Sequence, residues 1–236
     1  MVKLESLEIN GLIIFYDEAS KVVIPEVFNE DCYKIQGIPK GSTVIDIGAH
    51  IGTFTLRCAK ERNCKVYAYE PCPRNYRLLR KNIEKNNLTS NVETFQKAIG
   101  GKNERRTFYT NPEHTLGSSF FLGDNPDFKD HQLVVSIVET VTLEQIFKDN
   151  NLLYCDVLKM DCEEAEKEVF SDQSKSFFKN TSYVVLEWHN YDGRIYSDYL
   201  QSIGFATLLT GCGSPPPPYE MSFGRGYLYA WRVRDV

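Results

Sequence analysis

The stretch Thr43-Val-Ile-Asp-Ile-Gly-Ala-His-Ile-Gly-Thr-Phe54, followed by Val66-Tyr-Ala-Tyr-Glu-Pro71, constrains the fold of this chain more than any other feature. Val44, Ile45 and Ile47 form a short apolar run of the kind buried on both faces of a parallel sheet. Gly48 and Gly52 let the backbone turn tightly and approach a ligand, and a helix opening at Thr53 presents unpaired N–H groups. Eighteen residues after Gly52, Glu70 closes a second apolar strand. A carboxylate there can accept both hydroxyl protons of a ribose. Strand, glycine turn, helix, strand and acid, in that order, make a nucleoside-binding α/β unit.

The glycine count selects the ligand. The pattern is Asp46-x-Gly48-x-x-x-Gly52, and His50 stands where the middle glycine of a pyrophosphate-binding G-x-G-x-x-G would be. Side-chain bulk there disfavours NAD and FAD. Asp46 adds negative charge before the turn, which suits a cation such as S-adenosylmethionine (SAM), a sulfonium bearing an ammonium group. The contacts expected are Asp46, Gly48, His50, Gly52 and Thr53 at the methionine end, Glu70 and Pro71 at the ribose, and Gln96, Lys97 and Ala98 at the adenine edge. A turn kept only for packing is the competing explanation.

With 236 residues, 42% of them hydrophobic and 25% charged, the chain suffices for one sizeable core. Residues 1–42 read as a β extension or cap with strands at Leu12–Tyr16 and Lys21–Ile24. From residue 43 to 236 strands and helices alternate. Helices are expected near Gly52 and at Pro73, where Tyr76, Leu79 and Ile83 make one stripe, and a third strand at Val92–Phe95. Thr142-Leu-Glu-Gln145 has the form of a capping box. Tyr154–Met160 and Ser182–Trp188 read as the fourth and fifth strands, and Tyr196, Leu200 and Ile203 have helical spacing. Phe205–Leu209 and Tyr227–Trp231 close the chain as strands, joined through the stiff run Pro215–Pro218. Residues 101–135, including Thr115–Phe120, are polar and too long for an ordinary connection, which predicts a lid or substrate loop. The alternation predicts a mostly parallel sheet with helices on both faces and ligands beyond the carboxyl ends of its strands.

The far strand ends carry the chemistry. The two-residue period puts Val157, Lys159 and Asp161 on one face of the fourth strand, and Val185, Glu187 and His189 on one face of the fifth. A lysine in a buried strand is costly unless paired, and Asp161 is near enough to pair with it. If the strands are neighbours, Lys159, Asp161, Glu187 and His189 crowd one crevice beside the cofactor. Each alone is compatible with a structural ion pair; together they point to catalysis. Glu163, Glu164 and Glu166 follow, and acids there also stabilise a helix N-terminus.

Asp46-Ile-Gly-Ala-His-Ile-Gly-Thr-Phe54, Tyr69-Glu-Pro-x-Pro73 with Asn75, Leu78-Leu79 and Asn82, Ala98-Ile-Gly100, Ser118-Ser119, Val141-Thr-Leu-Glu144 and Leu158-Lys-x-Asp161 running to Glu166 together resemble the FkbM-type SAM-dependent methyltransferases. The resemblance runs from about Asp31 to His189. It implies a Rossmann-like class I methyltransferase fold, a seven-stranded sheet with the last strand antiparallel, with the methyltransferase domain spanning residues 43–236. It also implies methyl transfer to oxygen, as in members acting on hydroxyls of sugars or secondary metabolites. Two positions depart from the family pattern: Glu164 replaces the glycine of Asp-x-Glu-Gly-x-Glu, and Glu144 the aspartate of Leu-Asp.

Alignment of an acceptor oxygen with the methyl carbon and removal of one proton are then the enzyme's tasks. His189 or Asp161 is the expected base, with Lys159 holding the acid or the developing oxyanion. Magnesium assistance through Asp161, His189 and Asn190 is a variant opposed by too few hard oxygen ligands unless Glu163 or Glu187 joins them, and no metal residues are assigned. A net charge of -5 disfavours nucleic acid as substrate. The expected partner is a small-molecule or sugar hydroxyl acceptor, with a homodimer also open. Seven scattered cysteines without a C-x-x-C pair, no signal pattern and no long apolar run point to a cytoplasmic protein off the membrane. The alternatives are a SAM- or nucleotide-binding module that has lost catalysis and an RNA methyltransferase; the cofactor turn opposes a dehydrogenase.

Overall fold

The computed structural model describes residues 3–113, 118–120, 132–189, 192–211 and 225–233. A hairpin of β1 (Glu5–Ile9) and β2 (Leu12–Tyr16) leads into the short helix α1 (Val23–Phe28). The next segment alternates β3 (Thr43–Ile47), α2 (Thr53–Arg62), β4 (Lys65–Tyr69), α3 (Pro73–Lys85) and β5 (Val92–Phe95). Then come β6 (Lys97–Ile99), β7 (Glu104–Thr110), β8 (Val134–Val141), α4 (Leu143–Asp149) and β9 (Cys155–Met160). The chain continues with α5 (Glu166–Val169), α6 (Lys175–Lys179), β10 (Thr181–His189), α7 (Gly193–Ser202), β11 (Phe205–Gly211) and β12 (Arg225–Arg232).

The central sheet has the order β11-β12-β10-β9-β3-β4-β5. β12 runs antiparallel to both of its neighbours and every other pairing is parallel. This is the Rossmann-like methyltransferase architecture. The chain winds from β3 outward to β4 and β5, then returns to place β9 on the other side of β3, so the crevice lies between the carboxyl ends of β3 and β9. Alternate strand residues feed two cores. Val44, Val66, Val157 and Val185 pack with the hairpin and α1 to α3, while Ile45, Ile47, Leu158, Met160 and Leu186 pack with residues of α4 to α7.

The hairpin is held by side-chain amides that imitate a third strand. Asn86, which caps the end of α3, accepts from Ile13 N and donates to Ile13 O, and Asn82, one turn earlier, does the same with Phe15. Lys21–Ile24, expected as a strand, instead turns into α1. Val23, Ile24 and Val27 are buried at helical spacing, and Pro25 sits where a first turn tolerates its missing N–H. Arg57 of α2, 3% exposed and paired with Glu61 one turn on, ties α1 down through Val27 O and the following Asp31. Thr142 caps α4 by accepting from Gln145 N, as its capping box predicts.

The stretch 101–135 is not one long loop. Its flanks form β7 and β8, which join β6 in a three-stranded sheet. Alternating residues Val138, Phe108 and Ala98 close a small core of their own, which polar composition concealed. Thr115, Asn190 and Pro215–Pro218 lie outside the described residues. Among the described residues no helix is long and apolar enough to cross a membrane.

Candidate active site

The turn after β3 is built from left-handed backbone, with φ of 74° at Gly48, 53° at His50 and 92° at Gly52. A Cβ on Gly48 would stand 1.7 Å from the carbonyl oxygen of Asp161, so the turn and the end of β9 touch backbone to backbone. A Cβ on Gly52 would meet Leu79 at 2.6 Å, which makes this glycine a packing contact between α2 and α3. The N–H groups of Gly48 and Ala49 are both bound by Tyr69 O.

Beyond this turn lies a cavity open to solvent. Its wall includes Gly48, His50, Glu70, Pro71, Lys97 and Ala98. Phe108 and Phe120 supply an aromatic side from the small sheet and its neighbouring loop. Glu70 accepts from His50 N at 2.8 Å and from Cys72 N at 2.9 Å, one on each oxygen. Each oxygen keeps accepting capacity for a ligand hydroxyl. Burial pushes its carboxyl up to about 7, against the lowering effect of the two N–H groups.

A second cavity opens on the other side of the turn. His50, Gly48, Asp161, Glu163 and Val23 line both cavities. The second is completed by Glu26, Tyr33, Thr53, Lys159, Glu187, His189 and other residues. Strand register brings these groups together: Asp46 lies opposite Lys159, and β10 beside β9 carries Glu187 and His189 to the same end.

Two electrical arrangements share this floor. The Lys159 ammonium, 2% exposed, stands 3.2 Å from Asp46 Oδ1, donates to Gly48 O at 2.7 Å and lies 3.9 Å from Asp161. Burial alone would lower its pKa, but Asp46 and Asp161 outweigh burial and leave it raised. Asp46 is wholly buried and also accepts from Thr55 at 2.5 Å. His189 is ringed by four carboxylates: Glu166 at 3.2 Å from Nδ1, and Glu163, Glu187 and Asp161 at 3.8, 3.8 and 3.9 Å from Nε2. Desolvation opposes its charge, yet Glu163 and then Glu166 hold it well above the ordinary histidine value. Burial pushes Glu163 up to about 8 and Glu187 up to about 7.

The expected site residues therefore fall into three groups. Gly48, His50, Glu70, Pro71, Lys97 and Ala98 line the first cavity, and Thr53, Lys159, Asp161, Glu187 and His189 line the second. Asp46 and Gly52 lie beneath the turn and touch neither space, and Gln96 is exposed between β5 and β6. The partner of Lys159 at ion-pair distance is first Asp46, across strands, and only then Asp161. Tyr33, Glu163 and Glu166 were not singled out from the sequence as catalytic. Glu163 and Glu166 were legible only as part of an acidic run, and nothing in the spacing of Tyr33 links it to a site 128 residues away. Glu164, at the family's glycine position, has φ of 77° and lines neither cavity. The substitution loads a left-handed backbone site and leaves the crevice walls unaltered.

The model of the Methyltransferase FkbM domain matches residues 46–207, most of the chain. The chain belongs to the FkbM methyltransferase family. Members of this family are SAM-dependent methyltransferases. A curated relative, 31-O-demethyl-FK506 methyltransferase FkbM of Streptomyces tacrolimicus, is 26% identical over 214 residues, covering 79% of this chain and 82% of the relative. Among solved structures, M. jannaschii TYW2 in complex with AdoMet superposes with a TM-score of 0.53 at 18% identity, over 99% of this chain and 88% of that one. The M. jannaschii tRNA m1G37 methyltransferase gives 0.56 at 15% identity, over 98% of this chain and 57% of that one. At such identities the two structures establish the fold alone of this FkbM-family protein.

Proposed function

We propose that this FkbM-family protein transfers a methyl group from SAM to a hydroxyl of a small molecule or sugar. The observation that carries the proposal is the meeting of two cavities across one turn, with Glu70 in the first and the carboxylates around His189 in the second. The residues of the first cavity suit SAM. Glu70 is placed for ribose hydroxyls, Lys97 and Ala98 with Phe108 and Phe120 for the base, and the Gly48 turn lets a ligand approach the backbone. When bound, SAM supplies an electrophilic methyl carbon already activated by its sulfonium.

The chain's own residues then align an acceptor and take its proton. Asp161 and Glu163 line both cavities and are the carboxylates placed to receive that proton. His189, held positive by its neighbours, is suited to steadying negative charge on the acceptor oxygen and not to acting as the base. Lys159 positions rather than reacts: its donation to Gly48 O and its pairing with Asp46 fix the turn. Small-molecule acceptance is favoured by the acidic second cavity, which repels a phosphate backbone.

Purified protein incubated with SAM and a panel of hydroxylated small molecules and sugars is expected to yield S-adenosylhomocysteine and an O-methylated product identified by mass spectrometry and NMR. Calorimetry that finds tight NAD binding and no SAM binding would overturn the proposal. So would salt-sensitive RNA methylation with no turnover of the hydroxyl panel.

A further inference from the structure

Three side-chain atoms in the second cavity converge without bonding one another. His189 Nε2 is 3.9 Å from Asp161 Oδ1 and 3.8 Å from Glu187 Oε1. The donor atoms of the three residues all lie within 4.8 Å of each other. Among the described residues no hydrogen bond reaches Nε2, Oδ1 or Oε1, although Glu187 and His189 are 7% and 9% exposed. Such separations are too long for hydrogen bonds. They match atoms sharing an ion, since ligands about 2.1 Å from a common centre stand roughly 3 to 4 Å apart.

The other ends of the same side chains are held in place. The Tyr33 hydroxyl is 2.9 Å from Asp161 Oδ2 and 3.3 Å from Glu187 Oε2, so the two remaining oxygens are turned toward His189. Glu166, completely buried, bonds His189 Nδ1 and aims Nε2 into the cavity. A carboxylate on the far nitrogen of a histidine is the outer support that metal-binding histidines characteristically have.

We propose that Asp161, Glu187 and His189 bind a divalent first-row transition-metal ion in the floor of the second cavity. One imidazole and two carboxylates suit Mn2+, Fe2+ or Zn2+ better than Mg2+, which takes oxygen alone. Glu187 adds a second hard oxygen to that of Asp161. An ion here takes the place of the proton that the carboxylates otherwise hold on His189, faces the space assigned to the acceptor and would lower the pKa of a hydroxyl bound to it. Glu163 is then the carboxylate left to receive the proton. That role rests on the methyl-transfer proposal; the binding site does not.

The test uses the metal alone. The full chain, stripped of metal, is titrated with Mn2+ and followed by EPR, and is expected to bind one ion per chain at micromolar concentration. Pulsed EPR of the bound ion in the unmodified protein should show coupling to one imidazole nitrogen. His189→Asn and Glu187→Gln are expected to weaken binding at least about tenfold, and Glu166→Gln, which does not touch the ion, by about tenfold. SAM affinity measured on the same samples reports whether each variant is folded. Absence of Mn2+ and Zn2+ binding by the unmodified protein, absence of the imidazole coupling, or folded variants that bind Mn2+ unchanged would each overturn the proposal. An unmodified protein that binds Mn2+ but not SAM would defeat the methyltransferase proposal and leave the ion site standing.

Discussion

The two cavities that meet at Gly48 are built on opposite principles. Around the first, polar groups are anchored to backbone: Glu70 is fixed by two N–H groups, and Gly48 and Ala49 by one carbonyl. Around the second, charged side chains are held chiefly by one another, and the atoms nearest its centre stand 3.8 to 3.9 Å apart. A backbone-built wall is rigid and indifferent to most side-chain changes. A wall of coupled charges is sensitive to the loss of any member, because each neutralises another in a poorly solvated place.

The strongest way to break this contrast is at the ion pair beneath both walls. Asp46→Asn strands Lys159 in the interior and is expected to cost about 3 to 5 kcal/mol in denaturant unfolding. Adding Lys159→Met should recover part of that loss, since no uncompensated charge then remains; failure to recover would mean that Asp46 serves more than Lys159. Next in size is Glu163→Gln. With an acceptor found in the hydroxyl panel, kcat should fall about a hundredfold. SAM affinity should stay nearly constant, and a matching loss of affinity would mean that Glu163 serves the cofactor and not the acceptor's proton.

A smaller effect tests the first wall. Glu70→Gln is expected to weaken SAM binding about tenfold, one charge-assisted hydrogen bond's worth. Glu70 also sets a pH dependence. Its pKa of about 7 in the folded chain exceeds the ordinary 4.5. The stability it contributes is therefore fully present below pH 4.5 and is lost as pH rises through 7. SAM, which needs the carboxylate, should bind more tightly over the same interval, and Glu70→Gln should flatten that curve. Smallest of all, Asn86→Ala releases one rung of the β2 contact. It should cost about 1 kcal/mol while leaving both SAM binding and turnover in place. A large catalytic loss there would show that the hairpin positions the second wall as well.

Much of this was legible in the chain because it is local. The Asp46–Gly52 turn, the strand ending in Glu70 and the capping box at Thr142 each lie within one or two elements, where glycine geometry and two- or 3.6-residue periods are decisive. The strands of the central sheet were readable for the same reason. What went astray also has local causes. Lys21–Ile24 has β-branched composition but enters a helix because its apolar residues meet a core across a helical face. The polar flanks of 101–135 become strands because Ala98, Phe108 and Val138 find each other.

The sequence by itself determined the fold class, the cofactor turn and the run of ionisable residues at the ends of β9 and β10. Their division of labour was decided by the tertiary structure. Sheet order gave Lys159 to Asp46 and brought His189 beside Asp161, because neighbours across strands are closer than neighbours along the same face, and the segment after α1 supplied Tyr33. Burial and neighbouring charge then fixed the protonation: carboxylates hold a proton on His189 against desolvation, while burial raises Glu70, Glu163 and Glu187, since desolvation depends on what covers a group and no spacing in the chain records it.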